Sequence, residues 1–332
     1  MPVAAKPLEV HIYTDPAFRQ SPDFSAERVR DILGEFAGLA SRIVLGFSRD
    51  AATLDAALAT ADVLVVVGKL DLVDAAARAP ALRWVHITSA GVDRVPLAAL
   101  PAGLCVTNAR GNHEARTFEF SLTALLMLNN AVPAFVTQQI ERRWAQRALE
   151  PIEGKRVVIL GMGALGSSAA RAARQLGLEI TGISRSGQPH PLADLSLPQA
   201  RLPDALAEAD FLLITLPLTA QTRCLVGAAE LAALPPHAGV INIGRGPVLD
   251  VAALARRLEA GQLGGAVLDV FPEEPLAPES PYWRTPNLMV IPHSGLYDAD
   301  YVPRCLRSFF ANVTRYLAGE MLENQVDPAL GY

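Results

Sequence analysis

The chain has 332 residues, 51% of them hydrophobic, and exceeds the roughly 150 residues of an average domain, so we expect two domains. Its formal net charge of -5 argues against a nucleic-acid partner or an anionic membrane surface, which would need clustered basic residues. No apolar run approaches the roughly 20 residues that span a bilayer, and residues 1–6 lack the pattern of a secretory signal. We therefore expect a cytoplasmic protein.

The first third of the chain predicts one small parallel sheet. Strand-like runs alternate with alanine-rich helical stretches throughout the chain, which is typical of the α/β class. The runs in this third are Val10–Tyr13, Ile43–Phe47, Val63–Val67, Trp84–Ile87 and Leu104–Thr107. They predict a doubly wound sheet whose strand ends face a cleft.

A second parallel sheet is predicted after a long apolar helix that runs from Glu114 to about Ala131. Its six strands are Arg156–Leu160, Glu179–Ile183, Phe211–Thr215, Gly239–Ile243, Gly265–Val270 and Leu288–Ile291. The last helix, Tyr301–Ala318, is amphipathic and should fold back onto the first domain. The prediction is therefore a discontinuous substrate-binding domain, 1–110 plus 297–332, and a cofactor domain, 111–296.

A glycine turn follows the first strand of the second sheet. The turn is Gly161-Met162-Gly163-Ala164-Leu165-Gly166, and a helix is predicted after it from Ser167 to Leu176. Gly161 permits the tight turn, Gly163 admits a pyrophosphate and Gly166 allows the helix to pack closely on the strand. The order of strand, turn and helix predicts a dinucleotide site.

The end of the next strand bears on which dinucleotide is bound. NAD sites usually place an acid there, whereas this chain has Ser184-Arg185-Ser186, with a guanidinium and two hydroxyls. Those groups suit the 2'-phosphate of NADP. The same residues also fit a solvated loop beside an NAD site. NADP(H) is favoured and NAD(H) stays open.

Three polar residues after later strands suit the reduction of a 2-oxo acid. Arg245 follows one strand and offers a fork for a carboxylate, Glu274 follows the next, and His293 follows the last. A carboxylate beside an imidazole favours the protonated ring, which can then act as a general acid. Taken singly, Glu274 also fits an exposed loop acid and His293 also fits a turn residue. The occurrence of all three at consecutive strand ends favours a catalytic set.

The three cysteines show no spacing that indicates a metal or a redox pair. Cys105, Cys224 and Cys305 are far apart, without a CxxC motif. We expect reduced thiols, buried as small apolar side chains, and no metal site.

These segments together resemble the D-isomer-specific 2-hydroxyacid dehydrogenase family, and most closely its NADP-using glyoxylate/hydroxypyruvate reductase branch. The matching segments are Ser89–Asp93, Thr107–Gly111, the glycine turn, Leu216–Thr219 with Thr222-Arg223, Ile241–Gly246, Leu268–Phe271 and Pro292-His293. The resemblance implies two doubly wound domains, flavodoxin-like and Rossmann, with a cleft between them. It also implies that Arg245, Glu274 and His293 are catalytic.

The resemblance further implies how small molecules are held. Backbone N–H groups of Ala90, Gly91 and Val92 should bind the substrate carboxylate together with Arg245. The implied cofactor-binding set is Gly161, Gly163, Ala164, Leu165, Gly166, Ser184, Arg185, Ser186, Leu216, Pro217, Thr222, Ile243, Gly244, Asp269 and His293. Ile243, Gly244 and Asp269 should lie beside the nicotinamide, and a homodimer should form through the cofactor domain with the Glu114 helix at the interface.

Other functions fit the sequence less well. A dinucleotide-sensing corepressor would keep the catalytic residues, but we would expect a long disordered tail and a basic surface. A formate dehydrogenase would need no acid pair and has a longer N-terminal extension. Only 39 residues follow His293, so a phosphoglycerate dehydrogenase of this length should lack a regulatory domain. The identity of the 2-oxo acid stays open, with small substrates preferred.

Overall fold

The computed structural model describes residues 6–17, 23–70, 75–93, 95, 97, 100, 101, 103–327, 330 and 331. It divides into two compact units, unit 1 (Met1–Asn112 and Asp298–Tyr332) and unit 2 (His113–Tyr297). The predicted division, after residues 110 and 296, lies two residues and one residue from these boundaries. The prediction that the chain has no secretory signal rests largely on residues 1–5, and these residues lie outside the described part of the chain.

Unit 1 contains a five-stranded parallel sheet in the order β2-β1-β3-β4-β5. The strands are β1 (Leu8–Thr14), β2 (Ile43–Ser48), β3 (Val63–Val67), β4 (Trp84–Ile87) and β5 (Cys105–Asn108). This strand order is the flavodoxin-like one, and it confirms the predicted doubly wound sheet. Every residue of β3 and β4 is buried, as expected of central strands that helices cover on both faces.

Helices cover both faces of this sheet. They are α1 (Ala26–Gly34), α2 (Ala51–Leu58), α3 (Ala75–Arg78) and the C-terminal helix α10 (Tyr301–Ala318). Ser25 and Asp50 cap α1 and α2 by accepting hydrogen bonds from backbone N–H groups of the first turn. Phe309 and Phe310 of α10 are buried against the sheet, and α10 belongs to unit 1.

Unit 2 contains a seven-stranded parallel sheet in the order β12-β11-β10-β9-β6-β7-β8. The strands are β6 (Arg156–Leu160), β7 (Glu179–Ser184), β8 (Leu195–Pro198), β9 (Phe211–Ile214), β10 (Gly239–Asn242), β11 (Gly265–Leu268) and β12 (Leu288–Val290). The prediction of six strands was wrong because it missed β8. This edge strand has no fully buried residue, so it lacks the continuous apolar run that marks the others.

The helices of unit 2 are α4 (Glu114–Asn129), α5 (Val132–Ile140), α6 (Ala164–Gln175), α7 (Leu202–Leu206), α8 (Ala228–Ala233) and α9 (Val251–Glu259). The apolar stretch after Glu114 forms two helices, because Ala131 adopts a left-handed conformation (φ 50°) and Pro133 begins a new helical turn. Helix α6 begins three residues before the predicted Ser167, directly after the last non-helical glycine, Gly163.

The three cysteines differ in their exposure to solvent. Cys305 is buried, Cys105 is half-buried and Cys224 is exposed, so the prediction of three buried thiols was wrong for Cys224. Cys224 has a left-handed conformation (φ 52°) in a surface turn, a position that its apolar character did not indicate.

Within the described ranges no single helix is long and apolar enough to cross a membrane, whereas α4 and α5 reach that length and composition only as a pair bent by 61°.

A buried histidine makes the stability of unit 1 depend on pH. His86 of β4 is 1% exposed, its Nδ1 lies 2.8 Å from the Thr107 hydroxyl, and its Nε2 has no hydrogen-bond partner within the described residues. Burial lowers the pKa of His86 from 6.5 to about 3. Between these two pKa values the unfolded chain binds a proton at His86 that the folded chain does not bind. His86 therefore does not reduce the free energy of unfolding above about pH 6.5, and reduces it progressively as the pH is lowered below that value.

We predict that His86→Leu removes this part of the pH dependence. From about pH 7 to about pH 5 the wild-type chain should lose about 2 kcal/mol of stability through His86, at about 1.4 kcal/mol per pH unit below its unfolded pKa. Trp84 is the one tryptophan of unit 1 within the described residues, whereas Trp144 and Trp283 belong to unit 2. In a protein that carries Trp144→Phe and Trp283→Phe, tryptophan fluorescence during urea unfolding therefore reports the unfolding of unit 1.

The exposed His237 supplies the control for this measurement. His237→Leu should keep the wild-type slope of stability against pH in this assay, because His237 belongs to unit 2 and the Trp84 fluorescence reports the unfolding of unit 1. The pKa of His11 is also lowered by burial, but His11 is present in all variants and drops out of the difference. Equal slopes in wild type and His86→Leu would show that His86 is not the titrating group.

Candidate active site

The glycine turn joins β6 to α6 where the strand order of unit 2 reverses. Gly161 has φ 102°, which favours glycine, and its carbonyl accepts a 2.6 Å hydrogen bond from the Thr215 hydroxyl at the end of β9. A Cβ on Gly166 would lie 1.8 Å from the Gly161 carbonyl oxygen, so helix and turn are in direct backbone contact. A Cβ on Gly163 would meet nothing within 4 Å. The turn thus has the close packing and the open face that a pyrophosphate needs.

Helix α6 leaves its first N–H groups available on that open face. Its N-cap residue is Gly163, and no side chain caps the helix. Uncapped N–H groups and the positive end of the helix dipole favour an anion at this position. The residues of this turn therefore fit a dinucleotide phosphate by shape and by charge.

The loop after β7 presents an exposed cation beside two hydroxyls. The Ser184 hydroxyl accepts a hydrogen bond from the Gly187 N–H at 3.0 Å, which closes the loop as a tight turn. Arg185 and Ser186 are exposed, and neither has a hydrogen-bond or ion-pair partner in the described part of the chain. The guanidinium of Arg185 is therefore available to an external anion.

Arg245 lies three residues beyond β10, in a turn where glycines precede and follow it. A Cβ on Gly244 would lie 2.6 Å from the Leu216 carbonyl oxygen, and a Cβ on Gly246 would lie 2.0 Å from the Phe271 carbonyl carbon. The two glycines thus let the Arg245 turn lie directly against the segments that follow β9 and β11. The side chain of Arg245 is partly exposed, and its Nη1 donates to the Gly244 carbonyl at 2.9 Å.

Glu274 and His293 form a hydrogen-bonded pair. Oε2 of Glu274 lies 2.7 Å from Nδ1 of His293, and Oε1 of Glu274 accepts from the Phe271 N–H at 2.9 Å. The carboxylate is thereby fixed at both oxygens. The Glu274 side chain is 25% exposed and that of His293 is 42% exposed, so the imidazole is accessible to a small molecule. With Nδ1 facing the carboxylate, Nε2 is the ring atom left to act on a substrate.

The buried Asp269 shapes the turn that carries His293. Asp269 is 1% exposed, and its Oδ1 accepts hydrogen bonds from the N–H groups of Ser294 (2.9 Å) and Gly295 (2.8 Å). Its carbonyl oxygen accepts from the His293 N–H at 2.9 Å, and His293 adopts a left-handed conformation (φ 50°). Burial raises the pKa of Asp269, while the hydrogen bonds from Gly295 and Ser294 and the nearby His293 lower it.

Unit 2 therefore contains all three predicted catalytic residues, placed after β10, β11 and β12. The pairing of Glu274 with His293 is present, and Arg245 follows the neighbouring strand. Two polar residues with clear structural roles were missed by the sequence reasoning. These are Thr215, which binds the glycine turn, and Asn242, which binds the Arg245 turn. A polar residue at the end of an apolar strand is the signal that could have revealed both.

The predicted substrate loop belongs to unit 1. Its carbonyl oxygens are fixed, since Asn108 Nδ2 donates to the Ala90 carbonyl at 2.8 Å and the Ser89 hydroxyl donates to the Gly91 carbonyl at 2.6 Å. The N–H groups of Ala90, Gly91 and Val92 have no partner within the described residues. The loop thus presents backbone donors, which suits a carboxylate.

Comparison with known proteins identifies the family of the chain. Residues 122–295 match the sequence profile of the D-isomer specific 2-hydroxyacid dehydrogenase NAD binding domain. The glyoxylate reductase of Aeropyrum pernix is 32% identical over 264 residues, which cover 76% of this chain and 79% of that protein. The chain belongs to the D-isomer specific 2-hydroxyacid dehydrogenase family. It is therefore an oxidoreductase of 2-hydroxy acids, and the predicted fold and family are confirmed.

Two further relatives bear on the branch of the family. The NADPH-dependent glyoxylate/hydroxypyruvate reductase of Sinorhizobium meliloti, solved with NADP and sulfate, is 30% identical, covers 98% of this chain and 100% of its own, and has a TM-score of 0.81. The D-3-phosphoglycerate dehydrogenase of Mycobacterium tuberculosis (strain CDC 1551 / Oshkosh) is 31% identical over 86% of this chain. The chain spans only 54% of that longer protein.

We predict that alanine has different effects at two glycines of the turn. Gly166→Ala should destabilise unit 2 by about 2 kcal/mol or more, because the new Cβ would overlap a backbone oxygen. Gly163→Ala should keep the wild-type melting temperature but weaken binding of the dinucleotide, because its methyl group would occupy the open face. Thermal unfolding and quenching of protein fluorescence by NADPH measure the two effects. A stable, tightly binding Gly166→Ala variant would contradict this account of the turn.

Proposed function

We propose that this enzyme reduces small 2-oxo acids such as glyoxylate and hydroxypyruvate, with NADPH as the preferred reductant. The observation that carries the proposal is the 2.7 Å contact between Glu274 and His293, next to the strand whose turn carries Arg245. The reductases of Aeropyrum pernix and Sinorhizobium meliloti support the substrate class. Among the described residues, no cluster of three or more histidine, cysteine or acidic side chains could hold a metal ion.

In this proposal each catalytic residue has one task. Arg245 binds the substrate carboxylate, together with the N–H groups of Ala90, Gly91 and Val92. His293 donates a proton from Nε2 to the carbonyl oxygen at C2, and Glu274 stabilises the charged ring through Nδ1. A bound reduced nicotinamide supplies the hydride for C2. In the oxidative direction His293 accepts the hydroxyl proton, so the same pair serves both directions.

The glycine turn and the loop after β7 would hold the cofactor. The backbone donors at Gly163, Ala164, Leu165 and Gly166 suit the pyrophosphate, and the exposed Arg185 suits a 2'-phosphate. The remaining predicted contacts, at Leu216, Pro217, Thr222, Ile243, Gly244 and Asp269, follow β9, β10 or β11. Those strand ends lie along the same sheet edge as the glycine turn.

We predict that His293→Asn lowers kcat by about 10² to 10⁴ with a small change in KM, since proton donation matters in the transition state. Arg245→Ala should raise KM for the 2-oxo acid and lower kcat as well, because its charge acts in both states. Consumption of NADPH, followed by its absorbance with glyoxylate, hydroxypyruvate, pyruvate and branched 2-oxo acids, measures both.

The chain contains a matched control pair at the opposite edge of the same sheet. His237 Nε2 lies 3.0 Å from Asp210 Oδ1, next to the amino ends of β9 and β10. His237→Asn removes a histidine of the same pair type and should leave kcat and KM unchanged. Full activity of His293→Asn, or an equal loss in both variants, would refute the assigned role of His293.

We predict that Arg185→Ala raises the KM for NADPH by about 10- to 100-fold, the value of a lost charge-assisted hydrogen bond, and leaves the KM for NADH unchanged. Ser184→Asp should also raise the KM for NADPH, because a carboxylate repels the 2'-phosphate. It should lower the KM for NADH, because a carboxylate accepts hydrogen bonds from the ribose hydroxyls. Equal changes for NADH and NADPH in Arg185→Ala would show that this loop does not select the cofactor.

We also propose that the enzyme is a cytoplasmic homodimer that forms through α4, α5 and the segment 143–150. Large exposed apolar side chains cluster on these elements: Leu126, Phe135, Val136, Ile140, Trp144 and Leu149. Ile140→Glu should convert the dimer to a monomer in light scattering, whereas Met321→Glu, on an equally exposed side chain of unit 1, should not. If light scattering shows that the wild-type enzyme is a monomer, the proposed dimer is refuted.

A further inference from the structure

A buried amide side chain underlies the turn that carries Arg245. Asn242 is the last residue of β10 and is 0% exposed. Its Oδ1 accepts a hydrogen bond from the Gly244 N–H at 3.0 Å, and its Nδ2 donates to the Arg245 carbonyl oxygen at 3.1 Å. One side chain thus binds the backbone on both sides of the Arg245 α-carbon.

The glycines beside Arg245 bring the turn close to its neighbours but supply no side-chain hydrogen bonds. A Cβ at Gly244 or Gly246 would overlap backbone atoms of Leu216 or Phe271, so only glycine allows the turn to lie this close to them. Asn242 supplies two directional hydrogen bonds to the turn, in addition to the bond that the Arg245 carbonyl accepts from the Val248 N–H at 3.2 Å. These bonds are shielded from water, so solvent cannot replace them without opening the turn.

We infer that Asn242 is a positioning residue that fixes where the Arg245 guanidinium can reach. The inference rests on the proposed function, in which Arg245 binds the substrate carboxylate. An arginine side chain is long and flexible, so its useful orientation depends on the direction of its Cα–Cβ bond, and therefore on the backbone that Asn242 holds. A displacement of about 1 Å in a group that binds the reacting molecule can cost about 100-fold in rate.

The chain offers a matched control in Asn312 of α10. Asn312 is 2% exposed, donates from Nδ2 to the Glu323 carbonyl at 3.0 Å and accepts at Oδ1 from the Glu323 N–H at 2.8 Å. It therefore has the same burial and the same two kinds of hydrogen bond as Asn242, but it belongs to unit 1 and has no assigned role in the reaction. Truncation of either residue removes an equivalent pair of bonds.

The first experiment compares Asn242→Ala with Asn312→Ala. Asn242→Ala should raise the KM for glyoxylate and the Kd of oxalate, measured on the NADP-loaded enzyme, by about tenfold or more. Asn312→Ala should change both by less than about threefold. If Asn242→Ala binds oxalate as tightly as wild type while wild type is active, Asn242 does not position Arg245.

A second variant keeps the side-chain shape and guards against a failure of Asn242→Ala to fold. A protonated aspartic acid has the same acceptor and donor atoms as asparagine, whereas the ionised form lacks the donor to the Arg245 carbonyl. The ratio of kcat/KM between Asn242→Asp and wild type should therefore rise as the pH is lowered from about pH 8 to about pH 6. The corresponding ratio for Asn312→Asp should stay constant. A constant ratio for Asn242→Asp would overturn the inference.

The two proposals fail in distinguishable ways. A wild-type enzyme that reduces no 2-oxo acid and binds no oxalate overturns the proposed function, and the inference falls with it. An active wild-type enzyme whose Asn242 variants behave like the Asn312 variants overturns the inference alone.

Discussion

Asp269 is the group on which the geometry of the candidate site depends most directly. A carboxylate with 1% exposure is costly to bury, and burial accordingly raises its pKa. Two N–H donors, from Ser294 and Gly295, offset this cost, and both lie in the turn that holds His293 in its left-handed conformation. The carboxylate is therefore compensated when the histidine turn is in place, so that folding of the sheet edge and placement of the imidazole are coupled.

The neighbouring strands follow the same principle. β9 is followed by Thr215, β10 ends in Asn242 and β11 is followed by Asp269, and each of these buried side chains binds the backbone of a turn that carries a predicted site residue. The pair of Glu274 and His293 is itself partly exposed, and an exposed ion pair contributes little to stability. The turns of the predicted site are thus held by buried hydrogen bonds to the backbone more than by the contact between Glu274 and His293.

The sequence predicted the two sheets because their central strands are continuous apolar runs, and the predicted bounds of β3, β4 and β6 match the structure. It predicted Arg245, Glu274 and His293 as candidates because few residue types suit acid catalysis and carboxylate binding at strand ends. β8 escaped because its residues are half-exposed or exposed. The roles of Asn242 and Asp269 escaped because they depend on hydrogen bonds in folded turns, including bonds between residues 25 and 26 positions apart. In sequence, Asn242 looks like one more strand residue.

The two parts of the site differ in how they can change. The loop after β7 is exposed, and Arg185 has no partner in the described chain, so substitutions there should cost little stability. The Arg245 and His293 turns rest on buried polar side chains and on glycines with no room for a Cβ at Gly244 and Gly246. A substitution beneath them would leave buried donors or acceptors unpaired, which costs stability and geometry together. The proposed cofactor loop can therefore vary in sequence at little cost in stability, whereas the turns of Arg245 and His293 cannot, because only these turns are held by buried hydrogen bonds at the carboxyl ends of the strands.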